Sequence, residues 1–407
     1  MNKPLNHTNN SSINGSLTLS GSKSESNRLL ILQKLLTNVK ISNLSNSDDT
    51  IVLQKALVSE ADTIDIGHAG TAMRFLTAYL AIQEGKTSIL SGSKRMQERP
   101  ISPLVNALTH LGASIKYLNI EGYPPLQIVG KKLSKKEVYI SGSISSQYIS
   151  SLLLISTAFN DGLKINLTGK ITSIPYIKMT LSLLDTLGFV TSFNKKVILI
   201  KKPKVNKPIR VSVEPDWSSA SYFYSLAALQ PNTKIVLQGF KKNSIQGDCV
   251  LSDIYKLFGV KTKFDTSGIT IFSDKEVNKD SKISLNLVNT PDLAQTIAVT
   301  CLGLKKPCLL TGLHTLKIKE TDRLLALKTE LEKLGASVIV TDDSLQLFSV
   351  ESLNKNILIN TYHDHRMAMA FTPLSVLVPI VIENPKVVSK SYPNFWKDWK
   401  QLFITSY

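Results

Sequence analysis

Four segments of the chain follow one grammar: an amphipathic helical stretch ending in leucine or phenylalanine, then a glycine, then an alternating strand. They read "ALTHLGASIKY", "LLDTLGFVTSF", "IYKLFGVKTKF" and "ELEKLGASVIV", and their glycines, Gly112, Gly188, Gly259 and Gly335, are separated by 76, 71 and 76 residues. Glycine just past a helix is the residue that tolerates the positive φ of a C-cap. A period of about 75 exceeds the common solenoid repeats and is long enough for a compact unit of two helices and several strands. Repetition of this kind predicts an α/β protein assembled from about five or six βαβ-type units. At 407 residues the chain is too long for one ordinary core, so two domains of roughly 150–200 residues are expected. The boundary is expected near "VNKPIRVSVEPDW", where two prolines interrupt a lysine-rich stretch before a new helix.

Hydrophobic residues at 43% and charged residues at 19% exclude a disordered chain. The longest apolar run, "PLSVLVPIVI" from Pro373, is about half a membrane span and is broken by Pro379. The polar start "MNKPLNHTNNSS" lacks the apolar core of a secretory signal, so a cytoplasmic location is expected. Cys249, Cys301 and Cys308 lack metal-ligand spacing and read as reduced thiols. The net charge of +17 raises nucleic-acid binding as a rival reading. The lysines, however, come as scattered pairs such as Lys131-Lys132 and Lys241-Lys242, with no dense arm and no aromatic stacking platforms. A solvated basic surface with an anionic small-molecule substrate accounts for them better.

The chemistry gathers at helix starts, where free N–H groups and the positive end of the dipole favour anions. In "SGSKSESNRLLILQKLL", Ser22 and Ser24 precede an amphipathic helix and Lys23 and Arg28 add charge. "HAGTAMRFLTAYLAI" sets Gly70 and Thr71 before a helix that is apolar nearly all round, and "SGSISSQYISSLLLISTAF" does the same with Ser145, Ser146 and Gln147. "SKRMQERPISPLVNAL" puts Arg99 before Pro100, a residue type suited to a first helical turn. A cation at the positive end of a helix is unfavourable unless an anion compensates it. "KIKETDRLLALKTELEKLG" packs Lys319, Glu320, Asp322 and Arg323 at the mouth of an apolar helix, and Glu320 and Arg323 can also form a simple local pair. Such a mixed cluster suits a site that binds an anion and moves protons. "YHDHRMAMAFTPL" adds His365 and Arg366 at another helix start, with Asp364 as a possible cap and Met367 and Met369 as core, and Lys390 precedes Pro393 in "VVSKSYPNFW".

Taken in order, "SGSKSESNR", "GHAGTAMRF", "RMQERPI", "SGSISSQY", "SIPYI", "DWSSASYF", "TPDLAQT", "KETDR", "DHRMAMA" and "KSYP" resemble the 5-enolpyruvylshikimate 3-phosphate synthases along essentially the whole chain. "KETDR" and "DHRMAM" are the most specific of these blocks. The resemblance implies two similar domains, each of three repeated βαβαββ units forming an inside-out α/β barrel, with the active site in the interdomain cleft. The chain of such a protein crosses between domains twice, which implies domains of residues 1–19 plus 215–407 and of residues 20–214. The implied reaction moves the enolpyruvyl group of phosphoenolpyruvate to the 5-hydroxyl of shikimate 3-phosphate and releases phosphate. It runs by addition and elimination, with no cofactor and no metal, in a monomer that binds neither nucleic acid nor membrane.

Carried over residue by residue, Ser24 and Arg28 resemble the holders of the shikimate carboxylate, with Ser145, Ser146, Ser173 and Tyr176 around its phosphate and Gln147 between the substrates. Lys23, Gly70, Thr71, Arg99 and Lys390 resemble the phosphoenolpyruvate phosphate site, and Arg323 and Arg366 the forks that grip its carboxylate. Asp292 resembles the base for the attacking hydroxyl, assisted by Lys319, and Glu320 and Lys23 are the candidates for proton transfer at the methylene carbon. Four positions depart from the family pattern: His68 stands for Asn, Phe75 for Pro, Ile174 for a common Lys, and Thr315 for a frequent Asn. His68 and Thr315 are therefore further candidates, as is His365 at its helix start, with His68 expected to donate a hydrogen bond beside the phosphate. The sister transferases acting on UDP-N-acetylglucosamine carry a reactive cysteine in a mobile loop, whereas no cysteine precedes Cys249 here.

Overall fold

The four repeat glycines sit at helix ends with φ of 112°, 88°, 74° and 100°, in the left-handed region that a side chain would strain. The computed structural model describes residues 2–9, 12–202, 208–273 and 282–404, so 205–207 of the expected boundary segment lie outside the described residues. Each repeat glycine leads into the last hairpin of a four-stranded sheet, and four such sheets share one topology. In the first, Thr63–Asp65 runs parallel to Thr87–Ser91, which pairs antiparallel with Leu126–Val129 and through it with Ser114–Tyr117. The pattern recurs with Glu137–Ser141, Leu163–Thr168, Val197–Lys201 and Val190–Asn194. It recurs again with Ile283–Asn286, Cys308–Thr311, Ser344–Leu347 and Val338–Val340.

The fourth copy has an unusual source for its first strand. Ile13–Leu17, from the start of the chain, lies parallel to Thr233–Gln238, which continues to Gly268–Ser273 and Val260–Phe264. Two smaller sheets complete the set, one pairing Val39–Ser42 with Ile209–Ser212 and one joining Ile357–Ile359, Ile380–Ile382 and Lys3–Leu5. The chain accordingly divides into two compact units, Gly21–Val213 and the pair Met1–Ser20 with Glu214–Tyr407.

Burial explains how each unit is layered. Strands such as Leu163–Thr168 and Val197–Lys201 alternate buried and more exposed residues, the mark of a sheet with one face outward. The helices Gly70–Ala81 and His365–Phe371 are instead buried at every residue, since apart from Arg74, His365 and Arg366 their side chains are small or largely apolar and none presents a face to solvent. In the Gly21–Val213 unit, the helices Lys23–Leu35, Gly70–Ala81 and Ser146–Ile155 pack against one another in the interior. In the other unit, Trp217–Leu229, Ala294–Gly303 and His365–Phe371 do the same. Small hydroxyl residues hold these contacts: Ser221 bonds Thr296 at 3.2 Å and Thr300 donates to Ser225 at 2.8 Å. Helices inside and sheets outside give the inside-out α/β arrangement. Four of these central helices carry Lys23, Ser24, Gly70, Thr71, Ser146, Gln147, His365 and Arg366 in their first turns.

Candidate active site

In the Gly21–Val213 unit, Lys23 and Ser24 occupy the first turn of their helix rather than preceding it, and Ser22 is the N-cap. Lys23 Nζ lies 3.1 Å from Asp49 Oδ2, a partner the sequence did not reveal. Gly70 and Thr71 likewise open their helix rather than precede it. A Cβ on Gly70 would lie 2.5 Å from Arg99 Nη1, so only glycine lets that guanidinium sit on the backbone there. This corrects the expectation for Arg99. The following helix is Ser102–Leu111, with Pro103 rather than Pro100 in its first turn, and Arg99 serves the start of the Gly70 helix instead. A buried cation therefore faces the positive end of a buried helix, an arrangement that calls for an anion.

Gln147 Nε2 donates to Thr71 Oγ1 at 3.2 Å, joining two of the helix starts, and Ser145 caps its helix by accepting from the Gln147 N–H. Ser146 is buried at the first position of that helix. Ser173 caps the helix Ile174–Thr186 with φ of 53°, a strained conformation for a residue with a side chain, and it is buried. Glycine would relieve that strain but would lack the hydroxyl. Tyr176 follows in the first turn, its carbonyl 3.4 Å from Arg28 Nη2.

The second unit gathers cations around carboxylates. Arg323, buried to 2%, donates Nε to Asp364 at 2.6 Å, Nη1 to Asp292 at 2.9 Å and Nη2 to Glu320 at 2.8 Å. Arg366 Nη2 reaches the other oxygen of Asp292 at 3.1 Å, Lys319 Nζ lies 3.8 Å from Asp292, and Lys390 Nζ lies 3.3 Å from Glu320. Asp322 caps the helix Arg323–Lys333, which begins two residues after the start near Thr321 that the sequence suggests, so Asp322 precedes the first turn instead of lying in it. Asp364 caps Arg366 and also binds Arg323, so it does more than end a helix. Burial pushes the Asp292 carboxyl up, but Arg366, Lys319 and Arg323 outweigh it and hold the group well below its ordinary value. Burial would lower Arg323, but Asp364, Glu320 and Asp292 hold it above the usual arginine value. His365 is buried beside Asp364, Nδ1 to Oδ1 3.5 Å.

Asp248 and Ser218 also belong to this cluster, although no local pattern marks Asp248. Ser218 Oγ donates to Asp248 Oδ2 at 2.5 Å and lies 3.4 Å from Arg366 Nη2. Burial, then the charge of Asp292, pushes the Asp248 carboxyl up to about 7, against the Ser218 hydrogen bond and Arg366, with Asp216 adding to the rise. The folded state therefore binds a proton that the unfolded chain has released. That stabilisation is complete below the ordinary value of 3.8 and is lost as pH rises through about 7. Asp248→Asn, neutral throughout, is expected to gain on the order of 2–4 kcal/mol at pH 8 relative to the parent, and little at pH 4. Urea midpoints at the two pH values measure this; an equal difference at both would mean that Asp248 ionises as freely as in the unfolded chain.

Residues 51–399 match the family described as EPSP synthase (3-phosphoshikimate 1-carboxyvinyltransferase). The chain belongs to the EPSP synthase family. It is 45% identical over 395 residues to the 3-phosphoshikimate 1-carboxyvinyltransferase of Bacteroides fragilis strain YCH46, covering 96% of each chain. The protein of that name from Marinomonas sp. strain MWYL1 is 37% identical, with 95% of this chain and 96% of the relative covered. Among solved structures, the EPSP synthase of Acinetobacter baumannii superposes with a TM-score of 0.79 at 19% identity, over 99% of this chain and 98% of the other. The enolpyruvyl transferase NikO of Streptomyces tendae gives 0.75 at 14% identity over the same shares. These two likenesses speak for the fold alone.

The four departures from the EPSP synthase pattern take distinct places. His68 Nδ1 bonds Ser93 Oγ at 2.9 Å, which fixes the ring two residues before Gly70. Ile174 opens the helix after Ser173. Phe75 is buried in the Gly70–Ala81 helix. Thr315 is buried in the turn before Lys319, and its hydroxyl has no hydrogen-bond partner among the described residues. No described helix is long and apolar enough to cross a membrane, and no three His, Cys, Asp or Glu side chains among the described residues are grouped to hold a metal.

Proposed function

We propose that this chain transfers the enolpyruvyl group of phosphoenolpyruvate to the 5-hydroxyl of shikimate 3-phosphate and releases phosphate, a step in aromatic amino acid biosynthesis. The observation that carries the reading is the pair Asp292 and Glu320, held within 3.8 Å of Lys319, Arg323, Arg366 and Lys390. Cations in this number serve anionic substrates, and carboxylates among them serve proton transfer.

In this reading Arg323 and Arg366 grip the carboxylate of phosphoenolpyruvate, and Lys23, Gly70, Thr71, Arg99 and Lys390 bind its phosphate. Ser24 and Arg28 hold the shikimate carboxylate, Ser145, Ser146, Ser173 and Tyr176 hold the 3-phosphate, and Gln147 touches both substrates. Asp292, with Lys319, removes the proton of the attacking hydroxyl, and Glu320 or Lys23 delivers one to the methylene carbon. The resulting ketal phosphate then loses phosphate and a methyl proton to restore the enol ether.

The resting electrostatics give this scheme a trigger. A carboxylate held well below its ordinary value is a weak base. Negative charge arriving at Arg366 and Arg323 offsets the cations that hold it there, which strengthens Asp292 as a base when substrate is present. Lys319 stays beside it to steady the charge. The family resemblance alone adds that the chain works as a monomer in the cytoplasm.

Mixing the protein with phosphoenolpyruvate and measuring inorganic phosphate tests the reaction. Release that requires shikimate 3-phosphate is expected. Release that requires UDP-N-acetylglucosamine, or neither acceptor, would overturn the assignment.

A further inference from the structure

Two arginines of this protein are equally buried and oppositely compensated. Arg323 lies among three carboxylates, whereas Arg28, also buried to 2%, forms no ion pair among the described residues. Its Nε donates to Thr180 Oγ1 at 2.7 Å, Nη1 to the Ser24 carbonyl at 2.7 Å, and Nη2 to Ser150 Oγ at 3.0 Å and the Tyr176 carbonyl at 3.4 Å. All four acceptors are neutral, and one of the five N–H groups, on Nη1, is left over. Burial accordingly pushes Arg28 down to about 10, against weaker opposing contributions from Tyr176 and Glu25. A full charge held in the interior by neutral oxygens needs another source of stabilisation.

Glu25 supplies part of it without forming an ion pair with Arg28, and two aromatic rings supply the contact. The guanidinium carbon lies 5.4 Å from the centroid of the Phe75 ring and 5.9 Å from that of Tyr176, both within the range where a ring quadrupole attracts a cation. Phe75 is itself buried to 1% on the fully buried Gly70–Ala81 helix, so its ring has little freedom to move away. Proline, the residue of the family pattern at this position, offers no π face.

We propose that Phe75 is a positioning residue for shikimate 3-phosphate: its ring, together with that of Tyr176, holds the Arg28 guanidinium charged and aimed for the substrate carboxylate. The proposal rests on the reading that Arg28 binds that carboxylate. The rings stabilise the Arg28 cation in place without neutralising it, whereas a carboxylate partner would pair it off. The cation therefore stays available to an incoming anion, and the leftover Nη1 hydrogen is the donor that anion would meet. The effect is confined to one substrate, because Phe75 itself makes no hydrogen bond and reaches the reaction only through Arg28.

The test measures both Michaelis constants and the direct binding of shikimate 3-phosphate by calorimetry. Phe75→Leu is expected to raise KM and Kd for shikimate 3-phosphate about fivefold to tenfold, with kcat and the KM for phosphoenolpyruvate changed less than about twofold. Phenylalanines of increasing fluorination placed at position 75 keep the ring shape and drain its negative face. They are expected to weaken shikimate 3-phosphate binding stepwise, which a purely packing role for Phe75 would not produce, and they keep the test open if the leucine variant folds poorly. A flat fluorine series, or equal losses for both substrates, overturns the positioning role. Absence of shikimate 3-phosphate-dependent turnover in the parent protein would instead overturn the functional reading beneath it.

Discussion

Arg323→Ala is expected to destabilise the unit of Met1–Ser20 and Glu214–Tyr407 by about 3–5 kcal/mol at pH 7, the usual cost of removing one partner from a buried ion pair. The substitution removes one side chain but strands three groups. Asp364 is fully buried, and Asp292 and Glu320 are largely so, and all three accept hydrogen bonds from the same guanidinium. Lys319, Arg366 and Lys390 remain near two of them, but no lysine or arginine other than Arg323 pairs with Asp364 among the described residues. The sign of the pH dependence follows. Arg323 helps to hold the Asp292 carboxyl below its ordinary value, so without it that group takes up a proton more readily and the deficit shrinks as the pH falls. All three tryptophans, Trp217, Trp396 and Trp399, lie in this unit, so their fluorescence follows its urea unfolding alone. An unchanged midpoint at pH 7 would show that the carboxylates are compensated without Arg323.

Asp292→Asn and Glu320→Gln are each expected to lower kcat by about 10²–10⁴-fold, the range over which general acid–base groups act, while both substrates still bind. Both changes keep the shape and remove the ionisable carboxyl, and both leave the neighbouring cations with one counter-charge fewer. Arg366→Ala provides the contrast: it removes a fork and is expected mainly to weaken phosphoenolpyruvate binding. Single-turnover kinetics with separate binding measurements distinguish the two outcomes. If Glu320→Gln lost shikimate 3-phosphate affinity as strongly as it lost turnover, its role would be binding rather than proton transfer.

These expectations depend on features that differed in how visible they were in the sequence. The repeat glycines were legible because a helix end followed by a strand is a local event, and Gly112, Gly188, Gly259 and Gly335 each carry it in adjacent residues. The helix starts were legible to within a residue or two for the same reason. Arg99 was not: its partner Gly70 lies far back along the chain, and the proline beside Arg99 pointed to the wrong helix. Asp364 read as a cap because capping is what its neighbours show, whereas its bond to Arg323 spans 41 residues. Asp248 carried no signal, since burial and the charge of Asp292 reach it only through the fold. The pairing of Arg28 with two rings was hidden likewise, although Phe75 stood out as a departure from the family pattern.

The parallel pairing of Ile13–Leu17 with Thr233–Gln238 has a bearing on how the protein is born. During synthesis the first strand leaves the ribosome long before its partner exists, some 220 residues later. The Gly21–Val213 unit is continuous and can mature in that interval, while the strand Ile13–Leu17 waits with its edge open. Closing so long a loop is slow, so the strand's edge stays open far longer than the local hairpins of the same sheet need to form.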